Sequence, residues 1–135
     1  MPKFISQNPP EPPACVPDWY WIGGLHDALL LGKQPCPVAE EPMPEGCKFL
    51  HNCLELQLDA AQAMFDRRIT ALKFYNFKEL TPEVSLDGCW WVSDRLTQAG
   101  GKYCLEVQLR HRTGLRQYRI RFEVCRVLRE NRPRN

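Results

Sequence analysis

Apolar and polar residues alternate with a period of two along much of the C-terminal half of the chain. The clearest stretch is Lys102 to Val127, KYCLEVQLRHRTGLRQYRIRFEVCRV, which the pattern predicts to be two strands joined by a tight turn at Thr113-Gly114. In that register Tyr103, Leu105, Val107 and Leu109 lie opposite Val124, Phe122, Ile120 and Tyr118 on one face. Cys104, Glu106, Gln108 and Arg110 lie opposite Glu123, Arg121, Arg119 and Gln117 on the other. Apolar residues face apolar ones in both arms, and a Glu–Arg pair spans the polar face, as a half-buried antiparallel hairpin requires. A helix would scatter the same residues around its circumference.

The same reading extends upstream. Leu50–Asp59 alternates, with Leu54, Leu56 and Leu58 on one side and Cys53, Glu55, Gln57 and Asp59 on a wet face. Ile69–Phe77, ITALKFYNF, has β-branched and aromatic residues on both faces and suits a strand near the sheet centre. Trp90–Leu96 reads as a strand ending in a Gly100-Gly101 turn, against a short helix capped by Ser93 and stopped by Gly100. In Asp18–Leu31, Trp19 and Trp21 are apolar anchors and Gly23-Gly24 permits a turn; Leu25–Leu31 is read as a strand, with two helical turns as the alternative. Gly32–Gly46 and Thr81–Gly88 read as loops, and Asp59–Phe65 as one helical turn or a connection. The expected fold is mainly β (or α+β): a single antiparallel, strongly curled sheet or half-barrel with at most one or two short helices. Nine of the 12 prolines fall between Pro9 and Pro44, which divides the chain into a Pro-rich arm (1–17), a β-rich domain (18–128) and a polar basic tail (129–135).

Composition changes this picture little. At 135 residues, 44% hydrophobic and 25% charged, the chain suits one ordinary domain. Its net charge of +2 hides an asymmetry: residues 1–66 carry −6, residues 67–109 carry +1, and residues 110–135 carry +7. That implies a basic patch or an internal match between oppositely charged parts. The seven cysteines lack CxxC or zinc-finger spacing, and the start MPKFISQNPP lacks the apolar run of a signal peptide. Reduced thiols, a cytoplasmic setting and no membrane partner are expected, with a Cys104–Cys125 bridge across the hairpin left open.

Gly24-Leu25-His26-Asp27-Ala28, followed by an alternating strand and then ITALKFYNF, resembles a class of small bacterial proteins of unknown function. They open with a Leu-His-Asp element and carry a later Ile-x-x-Leu-x-Phe-x-Asn strand, matched here by Leu25, His26 and Asp27, then Ile69, Leu72, Phe74 and Asn76. The resemblance implies a β-rich cytoplasmic fold and an immunity-like role as a protein-binding partner of a toxin. It covers about Leu25 to Phe77; the Pro-rich arm and the Arg-rich end fall outside it.

His26-Asp27 has the composition of an oriented general base, yet neighbours on a strand point to opposite faces, so a structural pair is favoured. His51 and Cys53 would share a strand face, but a metal needs further ligands that only distant Cys36, Cys47 or His26 could supply. No GxSxG, P-loop, GxGxxG or HExxH occurs. No catalytic residue, metal or cofactor is expected. Arginines 110, 112, 119, 121, 126 and 129 form the best functional surface, and Trp90-Trp91 puts one indole on each sheet face, one of them an interface anchor. The expected binding residues are Trp90, Trp91, Arg110, Arg119, Arg121, His26 and Asp27. The leading expectation is a non-catalytic module that binds another protein. A nucleic-acid binder using the Arg-rich hairpin is the alternative, and a small hydrolase or metal-dependent enzyme the third.

Overall fold

A computed structural model describes residues 11–13 and 16–130. Eight strands build one antiparallel sheet: β1 (Leu29–Pro35), β2 (Cys53–Asp59), β3 (Ile69–Tyr75), β4 (Lys78–Glu79), β5 (Trp90–Ala99), β6 (Lys102–His111), β7 (Gly114–Phe122) and β8 (Val124–Arg129). Their order is β4-β7-β6-β5-β1-β2-β3-β8, and the sole helical element among the described residues is a 3-10 turn at Val38–Glu40. The sheet is strongly curled without closing into a barrel. Its curl follows from the connectivity: β7 and β8 stand near opposite ends of the order yet are separated by Glu123 alone. Chain continuity therefore draws the two ends together around one core.

That core is the apolar face foreseen from the alternation. Leu105, Val107, Leu109, Tyr118, Ile120 and Phe122 of the hairpin are buried against Leu54, Leu56 and Leu58 of β2 and Leu72 and Phe74 of β3. The open end is covered by residues 18–28. Trp19 packs edge-on against Tyr103 and Phe122 at 5.4 and 5.7 Å between ring centroids, and Trp21 against Trp91 at 5.6 Å. A single carboxylate fixes this segment: Asp94 on β5 accepts hydrogen bonds from Trp21 Nε1 and Trp91 Nε1, each 2.8 Å, and from the Tyr20 hydroxyl. Three donors in an aromatic cluster are thereby satisfied by one acceptor, which is why an Asp stands among Trp and Tyr rings.

Several expectations are corrected. The hairpin turn is Arg112-Thr113, with His111 opposite Gly114, so Glu106 faces Arg119 rather than Arg121. Gly114, at φ +138°, takes the unusual backbone angle at the first position of the returning strand instead of at the tip. The slip is two residues, an even number, so the side chains of Tyr103–Arg110 and Gln117–Phe122 keep their predicted faces, whereas Val124, expected on the apolar face, yields its place in the core to Cys125 beyond the break at Glu123. The second arm ends at Phe122, and Val124–Arg129 pairs with β3 as a separate strand.

Leu25–Leu31 is a strand only over its last three residues, Leu29–Leu31. Turns run through Asp27, with left-handed φ at Ile22, Gly23 and Asp27, and β1 begins only at Leu29 and takes in the first part of the expected loop, Gly32 to Pro35. Pro35 is tolerated because β1 meets β5 only near Leu29, leaving its missing N–H without a ladder partner. β2 starts at Cys53 rather than Leu50, and Cys53 is buried instead of wet. Asp59–Phe65 is a connection, and β5 runs as a strand to Ala99 before the left-handed Gly100-Gly101 turn. Part of the Pro-rich arm is engaged, with Glu11 bridging to Gln98 of β5.

Candidate functional surface

The outer face of β5, β6, β7 and β4 is built by strict cross-strand rows. Trp90, Arg110 and Leu115 form one row, then Ser93, Gln108 and Gln117, then Arg95, Glu106 and Arg119, then Thr97, Cys104, Arg121 and Lys78. Lys102 continues the same face opposite Ala99. Lys78, Arg95, Lys102, Arg110, Arg119 and Arg121 thus share it with one strand carboxylate, Glu106. That carboxylate is gripped from both sides: Arg95 Nη2 reaches Oε1 and Arg119 Nε reaches Oε2, each at 3.2 Å. Burial pushes the Cys104 thiol up, against the opposing pull of Arg119 and Arg121, so it stays protonated at neutral pH.

Trp90 and Trp91 divide as expected. Trp91 is buried, while Trp90 is 37% exposed and lies beside Arg110 on the outer face. His26 and Asp27 sit in the turn before β1 rather than on a strand. His26 Nδ1 lies 3.1 Å from Asp27 Oδ2, both side chains are about half exposed, and the Asp27 N–H donates to the Trp91 carbonyl at 2.8 Å. The fold therefore brings Asp27 to the Trp90-Trp91 segment and sets Arg110 across from Trp90, with Arg119 and Arg121 two and three rows further along. Sequence reading missed Arg95, Lys78 and Lys102 as members of this face.

His51 and Cys53 do not share a strand face. His51 is exposed ahead of β2 with its N–H donating to Asn76 Oδ1 at 2.6 Å, and no group of three His, Cys, Asp or Glu among the described residues is arranged to hold a metal ion. Asn76, at φ +54°, also donates to the Phe49 carbonyl at 2.6 Å, so it ties the end of β3 to the chain entering β2. Cys53 lies under the segment bearing Glu41. Burial first, then the neighbouring Cys36, pushes its thiol up to about 12, so it is no nucleophile at neutral pH. Cys104 and Cys125 are both free: Cys125 is buried on β8, paired with Phe74 of β3, outside the hairpin.

Two buried polar clusters lie apart from the basic face. Glu41 receives Lys73 Nζ at 2.7 Å and the Tyr75 hydroxyl at 2.9 Å. Burial alone would raise the Glu41 carboxyl, but these two hydrogen bonds and the Lys73 and Arg126 charges hold it below its ordinary value. Inside the curl, Glu79 takes hydrogen bonds from Lys33 Nζ and, at 2.8 Å, from the Tyr118 hydroxyl, which burial and that carboxylate push well up. Both clusters are closed by their own partners, and their chemistry is structural. No family model matches the chain, and neither the curated proteins nor the solved structures contain a match.

Proposed function

We propose that the chain is a non-catalytic protein-binding module, of the immunity-like kind implied by its Leu-His-Asp resemblance, whose basic outer face receives an acidic surface of another protein. The observation that carries this reading is the arrangement of Lys78, Arg95, Lys102, Arg110, Arg119 and Arg121 around a single gripped carboxylate, with half-exposed Trp90 at one edge. Guanidinium groups take carboxylates in a planar fork, and a Trp at the margin of a charged face is a typical anchor. The excess of cations also favours a second reading, a nucleic-acid binder. Against it, Glu106 stands in the middle of the face, and Tyr118 and Phe122 point inward, leaving Trp90 as the one aromatic on these rows for a base to stack on.

Capture from an extract of the source cells tests the proposal, using the intact chain, Trp90→Ala and the double variant Arg119→Glu/Arg121→Glu. Retention of an acidic protein should fall by about tenfold or more with the double reversal and by less with Trp90→Ala. Unchanged capture by variants with unaltered urea midpoints would remove the basic face from the account.

A further inference from the structure

We propose that the edge of β8 turned away from β3, which none of the described residues pairs, is a second binding site, which takes an extended peptide segment alternating apolar and basic residues as an added strand. β6 pairs with β7 only as far as Tyr103 opposite Phe122, because the β5–β6 hairpin turns at Gly100-Gly101. Beyond Phe122 the chain continues as β8, paired with β3 along one side and last in the sheet order. Every second N–H and C=O of the six residues Val124–Arg129 therefore points away from β3, along the line that β6 would follow were it longer. An edge of this kind is a template for strand addition, and β8 contains no proline to blunt it.

The surroundings of that edge specify the occupant. A groove of about 860 Å³ runs beside it, lined by Trp19, Tyr103 and Val127 on the core side and by Glu45, Glu123 and Arg126 on the outer side. Side chains of an added strand alternate between those two sides, so apolar residues would fall on the Trp19–Tyr103 shelf and polar ones on the charged wall. The charges favour cations in the ligand. Arg129 is held by Asp66 at 2.7 Å and Arg126 faces the Glu41 carboxylate, whereas Asp18 and Glu45 line the groove together with Glu123, whose carboxylate accepts from the Cys47 thiol and keeps its charge. The β6 line runs antiparallel to β8, which sets the expected direction of the added strand. The site does not include the basic face, so it stands or falls separately from the function proposed above.

The probe is a blocked ten-residue peptide alternating Val and Lys, with two analogues N-methylated at alternate amides in the two possible registers and a fourth peptide with Glu in place of Lys. Binding is followed by tryptophan fluorescence, and exchange protection by NMR of the Val124–Arg129 amides. The parent peptide should slow exchange of the groove-facing β8 amides, and one N-methyl register should bind roughly tenfold weaker or worse through the loss of two or three backbone hydrogen bonds. The Glu peptide should also bind more weakly, and Arg119→Glu/Arg121→Glu should change nothing. Trp19→Ala should weaken binding; should that variant fail to fold, the N-methyl comparison on the intact chain still decides. Equal affinity for both N-methyl registers and the parent, or unprotected β8 amides at saturating peptide, would overturn the proposal. So would protection that grows with protein concentration in the absence of peptide, which would assign the edge to a second copy of the chain.

Discussion

At the scale of single residues, Phe122 and Arg121 separate the core from the surface most sharply. Phe122 is fully buried and touches Phe74 at 4.8 Å between centroids, so Phe122→Ala should cost about 3–5 kcal/mol, whereas exposed Arg121→Ala should cost under about 1 kcal/mol. Urea midpoints at constant slope check both, and a reversed order would mean that the hairpin faces are misassigned. Asp94→Ala should cost about 3 kcal/mol or more, since it strands two indole N–H groups and the Tyr20 hydroxyl together; Asp94→Asn, which keeps one acceptor oxygen, should cost less. Glu41 gives a pH dependence of definite sign. Its folded carboxyl titrates below the ordinary value of 4.5, so its stabilisation is complete above that pH and fades as pH falls through the folded value. The stability gap between the intact chain and Glu41→Gln should therefore shrink steadily on acidification below about pH 4.5, and a gap independent of pH would refute the Lys73–Glu41–Tyr75 account.

At the scale of elements, the turns carry the sharpest expectations. Gly100 and Gly101 sit at φ +60° and +78° between paired Ala99 and Lys102, the geometry of a two-residue hairpin loop with both central residues left-handed. Gly100→Asn should be nearly neutral, while Gly101→Val should cost about 1–2 kcal/mol, as thermal unfolding of the two variants would show. The strands themselves were legible in the sequence wherever one face is buried: the β6–β7 faces, the Leu54-Leu56-Leu58 row and the doubly buried β3 all follow from period-two alternation. What alternation does not reveal is a bulge. β5 slips between Trp91 and Ser93, so Trp90 and Ser93 share the outer face and Asp94 turns inward to the indoles while Arg95 turns out to Glu106. Uninterrupted alternation would have buried Arg95, and that contradiction is the one sequence signal that pointed to a bulge. A second slip at Leu31 and the left-handed turns at Ile22 and Asp27 displaced β1 from its expected position in the same way. The register of the main hairpin escaped because the sequence alone does not say which residue beside Gly114 takes the tip.

At the scale of the whole molecule, the charge asymmetry of the sequence is resolved mainly into a surface. Glu106, Asp66 and Glu41 answer some of the C-terminal arginines, but the outer face of β5, β6, β7 and β4 keeps a clear excess of cations. The cations of that face were partly legible, because Arg110, Arg119 and Arg121 alternate visibly; Lys78, Arg95 and Lys102 join them only through pairing across strands. The thiols give a global check on the fold. The six described cysteines are free, Cys15 lying outside the described residues, and Cys36, Cys47 and Cys104 are partly exposed while Cys53, Cys89 and Cys125 are buried. Native-state alkylation should label the exposed three first and Cys125 among the last, with titration of the unfolded chain returning all seven. Oligonucleotide binding across a salt series distinguishes a protein partner from a nucleic acid at the basic face. Binding to single- and double-stranded oligonucleotides should be weak and disappear at ~150 mM salt, the range where a few phosphate contacts are screened out. Sub-micromolar affinity at that salt, lost on Arg119→Ala/Arg121→Ala, would contradict the protein-partner reading and make the face a nucleic-acid site.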